Sequence, residues 1–183
     1  EINKLSIDIL VNNAGIGTFG DFNDIEWKKE EELIDINIKA LTQLTKYFLP
    51  KILEYKSSGI LNVASTAAFC SGPRMATYYA SKAYVLNLTE AIHEEYKKAG
   101  IKISCLCPGP VKTSFQVKAG IKKSDAAKKY LMDAEEVARI CYKDFNKGKL
   151  IIIPGKKNRL LVKGNKFLPR SISRRIVLKT NRK

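Results

Sequence analysis

Gly59-Ile60-Leu61-Asn62-Val63-Ala64-Ser65-Thr66-Ala67, followed by Tyr78-Tyr79-Ala80-Ser81-Lys82, is the pair of stretches on which the reading of this chain turns. The first is a short apolar run of strand character that ends at a serine. Thirteen positions after Ser65, Tyr78 opens a stretch that reads as a helix, and Lys82 follows four residues on. Residues four apart share a helix face at about 5–6 Å between Cβ atoms, so this spacing predicts a lysine ammonium beside a phenol whose phenolate it stabilises. A phenol made acidic in this way, next to a serine hydroxyl at a strand end, can protonate a carbonyl oxygen while a hydride reaches the carbon.

Upstream, Ser6-Ile7-Asp8-Ile9-Leu10-Val11 reads as a buried parallel strand that runs into a turn at Asn12-Asn13-Ala14-Gly15. Ligands of open α/β sheets bind at such strand ends. Gly15-x-Gly17-x-x-Gly20 matches the spacing of a dinucleotide fingerprint, but 18–24 reads as loop before a later helix, and the match is taken as accidental. Asp24 is a candidate N-cap for a helix starting near Ile25-Glu26-Trp27. From Leu33, apolar residues recur at helical spacing toward Tyr55; Asn37 lies among them, and Pro50 is expected to kink or interrupt the run.

Downstream, a helix is predicted over 77–98, stopped by Ala99-Gly100, with an apolar arc wide enough to pack on more than its own sheet. His93, the single histidine, is expected to face solvent or an interface. Residues 101–107 form a strand that ends in Pro108-Gly109-Pro110-Val111, a stiff turn that leaves the Val111 amide free to donate. Residues 114–132 mix Phe115, Val117, Ile121, Tyr130 and Leu131 with five lysines and read as a loop and helix covering a substrate. An apolar substrate with an anionic handle would suit that mixture; solvated lysines on the cover are the plainer reading. Asp133 caps a further helix toward Asn146, and 149–155 is the last strand.

Composition narrows the class. The chain has 183 residues, 45% of them hydrophobic, which suffices for one domain with an ordinary core. It contains no run of about 18 apolar residues, and its first residues form no signal peptide. Four cysteines, Cys70, Cys105, Cys107 and Cys141, read as reduced core thiols, and no histidine lies near them to suggest a metal site. The net charge of +15 is uneven: 147–183 carries 13 Lys or Arg and no acid, so the basic character belongs to the tail.

Together Asn12-Asn13-Ala14-Gly15, Asn37, Ser65, Tyr78, Lys82 and Pro108-Gly109-Pro110-Val111-Lys112-Thr113 resemble, in order and interval, the short-chain dehydrogenase/reductases over about residues 5–155. The resemblance implies an α/β fold: a doubly wound, Rossmann-type, mainly parallel sheet in three αβα layers. It also implies an N-terminally truncated domain, because no Gly-rich pyrophosphate turn is present and the first strand corresponds to the family's fourth. The expected organisation is a partial catalytic domain, 1–155, with a lid at about 114–132, then a basic amphipathic tail, 156–183.

Carried over residue by residue, the resemblance makes Tyr78 the general acid/base, with Lys82 lowering its pKa and Ser65 polarising the carbonyl. Asn37 would hold a water in the proton relay. Asn13, Ala14 and Gly15 would border the adenosine ribose; Tyr78 and Lys82 would meet the nicotinamide ribose; Pro108, Gly109, Val111 and Thr113 would hold the carboxamide. The cofactor implied is NADP or NAD, with NADP preferred, and the substrate a carbonyl/alcohol pair, apolar or lipid-like. A homo-oligomer, dimer or tetramer, in the cytoplasm is also implied.

Two other readings stay open from the residues. One is a catalytically silent Rossmann-fold binding protein. The other is a chain whose tail meets a membrane surface, with peripheral localisation, or nucleic acid, although no nucleic-acid recognition motif is present.

Overall fold

The computed structural model describes residues 7–121 and 131–181. Within the lid expected at 114–132, residues 122–130, Tyr130 among them, lie outside the described residues, as do 1–6 and 182–183. Four strands form one sheet in the order β1 (Ile9–Asn12), β2 (Gly59–Val63), β3 (Lys102–Leu106) and β4 (Ile151–Ile152), and every neighbouring pair is parallel. Parallel neighbours need long crossovers. Helices α1 (Trp27–Ile34) and α2 (Leu41–Ile52) join β1 to β2, α3 (Ala76–Glu95) joins β2 to β3, and α4 (Phe115–Lys118) and α5 (Ala134–Asn146) lie between β3 and β4. Beyond β4 come α6 (Lys156–Asn165) and α7 (Arg170–Thr180), so the basic tail expected at 156–183 is largely helical.

Alternation along the strands makes the layers. Register pairs Ile60 with Ile103 and Asn62 with Cys105, which face α2 and α3 together with Val85 and Leu86. The intervening Leu61, Val63, Leu106 and Ile152 turn the other way and pack on Val137, Cys141 and Phe145 of α5. The three-layer, doubly wound parallel architecture expected from the sequence is therefore the one observed. At the outer strand the second face is bare: Ile9 and Val11 are 41% and 52% exposed.

Local expectations fare unevenly. Asp133 caps α5 through its side chain, which accepts from the Glu135 amide at 2.9 Å, and Gly100, at φ +77°, stops the turn after α3 in a conformation that favours glycine. The stretch after Gly15 is loop, so the Gly15-x-Gly17-x-x-Gly20 match opens no helix.

Asp24 closes a 3-10 turn, Phe22–Asp24, and does not cap α1; Glu26 holds that position with its carboxylate turned to Lys29 at 2.6 Å. Pro50 does not interrupt α2, which runs through it to Ile52. It stands in the last turn, where its missing N–H strips a single carbonyl. Ser58 Oγ then donates to the carbonyls of Ile52 and Tyr55. The irregularity falls upstream, where Asp35–Ala40 winds as a π-helix. His93 turns inward, half-buried, its Nδ1 3.0 Å from the Ile103 carbonyl.

Candidate active site

All four strands end at one edge of the sheet, and the residues singled out in the sequence gather there. Ser65 follows β2 and caps the short turn Thr66–Phe69, its hydroxyl accepting from the Ala67 amide at 3.1 Å and lying 3.4 Å from the Pro108 carbonyl. Thr66 also donates to Pro108, so the turn after β2 is tied to the turn after β3. Tyr78, in the first turn of α3, is 9% exposed. Burial pushes its phenol up to about 12; the hydrogen bond with Ser65 pulls the other way, and Tyr79 adds slightly to the rise.

Lys82 is brought to the same place, with its Nζ 5.9 Å from the Tyr78 ring centroid. Its Nζ donates to the Val63 carbonyl at 2.9 Å. Burial lowers its pKa to about 8, while the nearby Cys105 and Cys107 sulfurs raise it. The i,i+4 spacing predicted a phenol made acidic by the lysine. In the folded chain the phenol is instead weakened as an acid, because desolvation outweighs everything else acting on it.

Asn37 is 1% exposed and sits in the π-helical segment. Its Oδ1 accepts from the Ile16 amide and its Nδ2 donates to the Ile16 carbonyl, both at 2.9 Å, and Nδ2 also reaches Ser81 Oγ at 3.1 Å. One amide thus clamps the loop after β1 to α3. A π-turn, common at functional sites, aims it there. Gly15 lies between these groups: a Cβ built on it would stand 3.2 Å from Lys82 Nζ and 3.3 Å from Asn37 Oδ1. Asn13 and Ala14 are exposed at the strand end.

After β3, a parallel bridge pairs Val111 with Met132 through the amides of Lys112 and Met132, which leaves the Val111 amide out of the pairing. Gln116 Nε2 donates to the Val111 carbonyl at 3.0 Å. Gly109 is pressed against Asn158 of α6, and exposed Thr113 accepts from the Phe115 amide at 3.3 Å.

The contact of Phe115 with Tyr78 and the chain of bonds from Asn12 through Asn62 to Thr89 escaped the sequence reading, which placed Phe115 only in the expected lid. Phe115 of α4 leans on Tyr78, with ring centroids 5.4 Å apart at 45°, and joins Ile16, Phe19, Met75 and Ile121 in an apolar wall around the phenol. Behind it, Asn12 Nδ2 donates to Thr45 Oγ1 at 3.0 Å and Asn62 Oδ1 at 2.8 Å, and Asn62 Nδ2 donates to Thr89 Oγ1 at 3.0 Å. Two polar residues in otherwise apolar strands were the available signal. Just before α3, Met75 packs on Tyr78. Gly72 and Pro73 line a cavity of about 770 Å³ beneath the tail. Among the described residues no group of three or more His, Cys, Asp or Glu could hold a metal ion. All four cysteines are free, three of them buried.

A parallel, doubly wound sheet with a serine, a tyrosine and a lysine gathered at its C-terminal edge is a Rossmann-type α/β domain. Residues 3–124 match the family described as short chain dehydrogenase, and the chain belongs to that family. The oxidoreductase UcpA of Salmonella typhimurium is 39% identical over 108 residues, which cover 58% of this chain and 41% of UcpA. Dehydrogenase/reductase SDR family member 6 of Rattus norvegicus is 35% identical over 153 residues, 77% of this chain and 62% of that protein. A short-chain dehydrogenase from Sphingobium yanoikuyae, solved in complex with NADPH, superposes with TM-score 0.76 at 28% identity, over 87% of this chain and 63% of the other. The chain thus spans 41–62% of the length of these curated relatives.

Proposed function

We propose that this chain is the catalytic part of an NADP- or NAD-dependent oxidoreductase acting on a carbonyl/alcohol pair, with Tyr78 as its proton donor. The observation that carries the reading is the convergence of Ser65, Tyr78 and Lys82, from β2 and α3, on one sheet edge, walled by apolar side chains. A nicotinamide cofactor, when bound, supplies the hydride. The residues present suit its nicotinamide end: the Lys82 ammonium beside Gly15, the Val111 amide outside its bridge, and exposed Thr113 all lie at the strand ends. Asn13, Ala14 and Gly15 would border the rest of it, with Pro108 and Gly109 shaping the turn.

In reduction, Tyr78 gives its proton to the carbonyl oxygen and the Ser65 hydroxyl holds that oxygen in place. A phenol pushed up to about 12 is fully protonated at neutral pH, which suits the acid in reduction better than the base in oxidation. Lys82 restores the balance by stabilising the phenolate left behind. Asn37 acts as a positioning residue: its bonds to Ile16 and Ser81 hold the loop and helix that flank the phenol. The wall of Ile16, Phe19, Met75, Phe115 and Ile121 favours an apolar carbonyl compound. Bare Ile9 and Val11 on β1 support a nucleotide-binding part lying beyond that strand, and exposed Leu44, Tyr47 and Tyr84 on α2 and α3 support a homo-oligomer.

The test uses the full-length gene product. NADPH and NADH are titrated with nicotinamide fluorescence as the readout, and carbonyl-dependent cofactor oxidation is then followed in wild type and Tyr78→Phe. The expected result is cofactor binding by both and a loss of about 10³-fold or more in reduction by Tyr78→Phe. Failure of the protein to bind either cofactor, or full activity in Tyr78→Phe, would overturn the reading.

A further inference from the structure

We propose that α6 and α7 form a docking face for an anionic lipid bilayer, with the helices lying on the surface and not crossing it. The observation is an inverted amphipathicity. Toward the rest of the fold Asn165 Nδ2 donates to the Phe69 carbonyl at 2.8 Å and Asn181 Nδ2, just past α7, to the Pro73 carbonyl at 3.0 Å; Ser173 Oγ ties α7 to α6 through Asn165 Oδ1 at 2.5 Å, and of the apolar residues of α6 only Val162, 6% exposed, turns inward. Ser173 is 7% exposed. The large apolar residues point away: Leu160 is 72% exposed, Leu161 71%, Phe167 88%, Ile172 44% and Ile176 49%. A helix meant only to complete this fold would bury that stripe and expose its serine.

Cations share the outward side. On α7, Ile172 and Ile176 are four residues apart, as are exposed Arg175 and Lys179, so an apolar and a cationic ridge run side by side. On α6, exposed Lys156 and Lys163 lie one turn either side of Leu160. Residues 147–183 hold no acid to neutralise them.

Charge selects among occupants. A second copy of the same face would set cations against cations. Nucleic acid would use the cations and leave bare phenylalanine and leucines without a role. An anionic bilayer takes both, the apolar side chains entering the acyl boundary while lysine and arginine stems reach up to the headgroups. No described helix is long and apolar enough to cross a membrane.

The inference does not rest on the oxidoreductase reading, and its test needs no activity. Flotation of the full-length protein is compared between phosphatidylcholine vesicles and vesicles with about 30% phosphatidylglycerol, at about 0.1 M and about 0.5 M salt. The expected result is binding to the anionic vesicles alone, weakened about tenfold or more by salt. A Leu160→Ser, Phe167→Ser, Ile172→Ser variant keeps its charge and, by circular dichroism, its fold, and loses binding about tenfold or more. Equal partition of wild type and variant would overturn the proposal. So would absence of vesicle binding in wild type, including the case in which it binds single-stranded DNA or self-associates instead.

Discussion

The two faces of the sheet are built on different principles. Against α5, Leu61, Val63, Leu106 and Ile152 meet Val137, Cys141 and Phe145, an apolar layer in which packing alone carries the energy. Against α2 and α3, the same strands turn inward Asn12, Asn62, Cys105 and Cys107, opposite Thr45, Lys82 and Thr89. The first face gains stability from packing, whereas the second depends on pairing: buried polar and titratable groups cost free energy unless each is paired. Variants on the two faces should therefore fail in different ways.

The largest expected effect lies on the apolar face. Phe145 is 4% exposed, and Phe145→Ala should destabilise the chain by about 3–5 kcal/mol through lost burial and an unfilled cavity. Urea denaturation measures it. A loss below about 1 kcal/mol would mean that α5 is not tightly packed on the sheet.

Next comes the pH dependence of the polar face. Lys82 is lowered from 10.5 to about 8, so between those values the unfolded chain holds the proton that the folded chain has lost, and stability rises with pH. Tyr78 is raised from 10.0 to about 12, so between those values the folded chain keeps a proton the unfolded one loses, and stability falls. At about 1.4 kcal/mol per pKa unit the swings are at most about 3.5 kcal/mol for Lys82 and about 3 kcal/mol for Tyr78. Denaturation curves from pH 7.5 to 11.5 should lack the rise in Lys82→Met and lack the fall in Tyr78→Phe. Identical profiles in all three proteins would show that neither group is desolvated as the burial implies.

Smaller again is the Asn12–Asn62–Thr89 chain. Asn62→Ala leaves Asn12 with one acceptor fewer and Thr89 without its donor, at a cost of about 1–3 kcal/mol. Combined with Asn12→Ala in a double-mutant cycle, it should show a coupling of about 0.5–3 kcal/mol. Strict additivity would mean that the two amides are not one unit.

How much of this could be read from the chain follows the range of each interaction. Ser65, Tyr78 and Lys82 were legible because a strand end, a short interval and an i,i+4 pair are local facts, and so were the parallel strands and the caps at Asp133 and Gly100. The Asn12–Asn62 bond joins residues fifty positions apart and exists only through strand register. Phe115 reaches Tyr78 from beyond the next strand, and Asn37 reaches Ile16 because a π-turn shifts the helical phase, which periodicity alone does not reveal. The direction of the Tyr78 shift is illegible in the sequence for a related reason. Sequence spacing shows which charges can be neighbours, but desolvation depends on everything packed around them, and here it is the larger effect.

The smallest prediction bears most directly on the contrast between faces. Ser104 pairs in register with Leu61, on the side of α5, and its buried hydroxyl has no hydrogen-bond partner among the described residues. An unsatisfied buried hydroxyl carries a desolvation cost without a compensating bond. Ser104→Ala should therefore leave stability unchanged or raise it by up to about 1 kcal/mol, whereas Thr89→Ala, across the sheet, should lower it, since Thr89 Oγ1 accepts from Asn62 and donates to Val85. Chemical denaturation of the two variants side by side decides the matter. If Ser104→Ala were the more damaging, the hydroxyl would have a partner, a buried water being the simplest, and the α5 face would carry a polar anchor of its own.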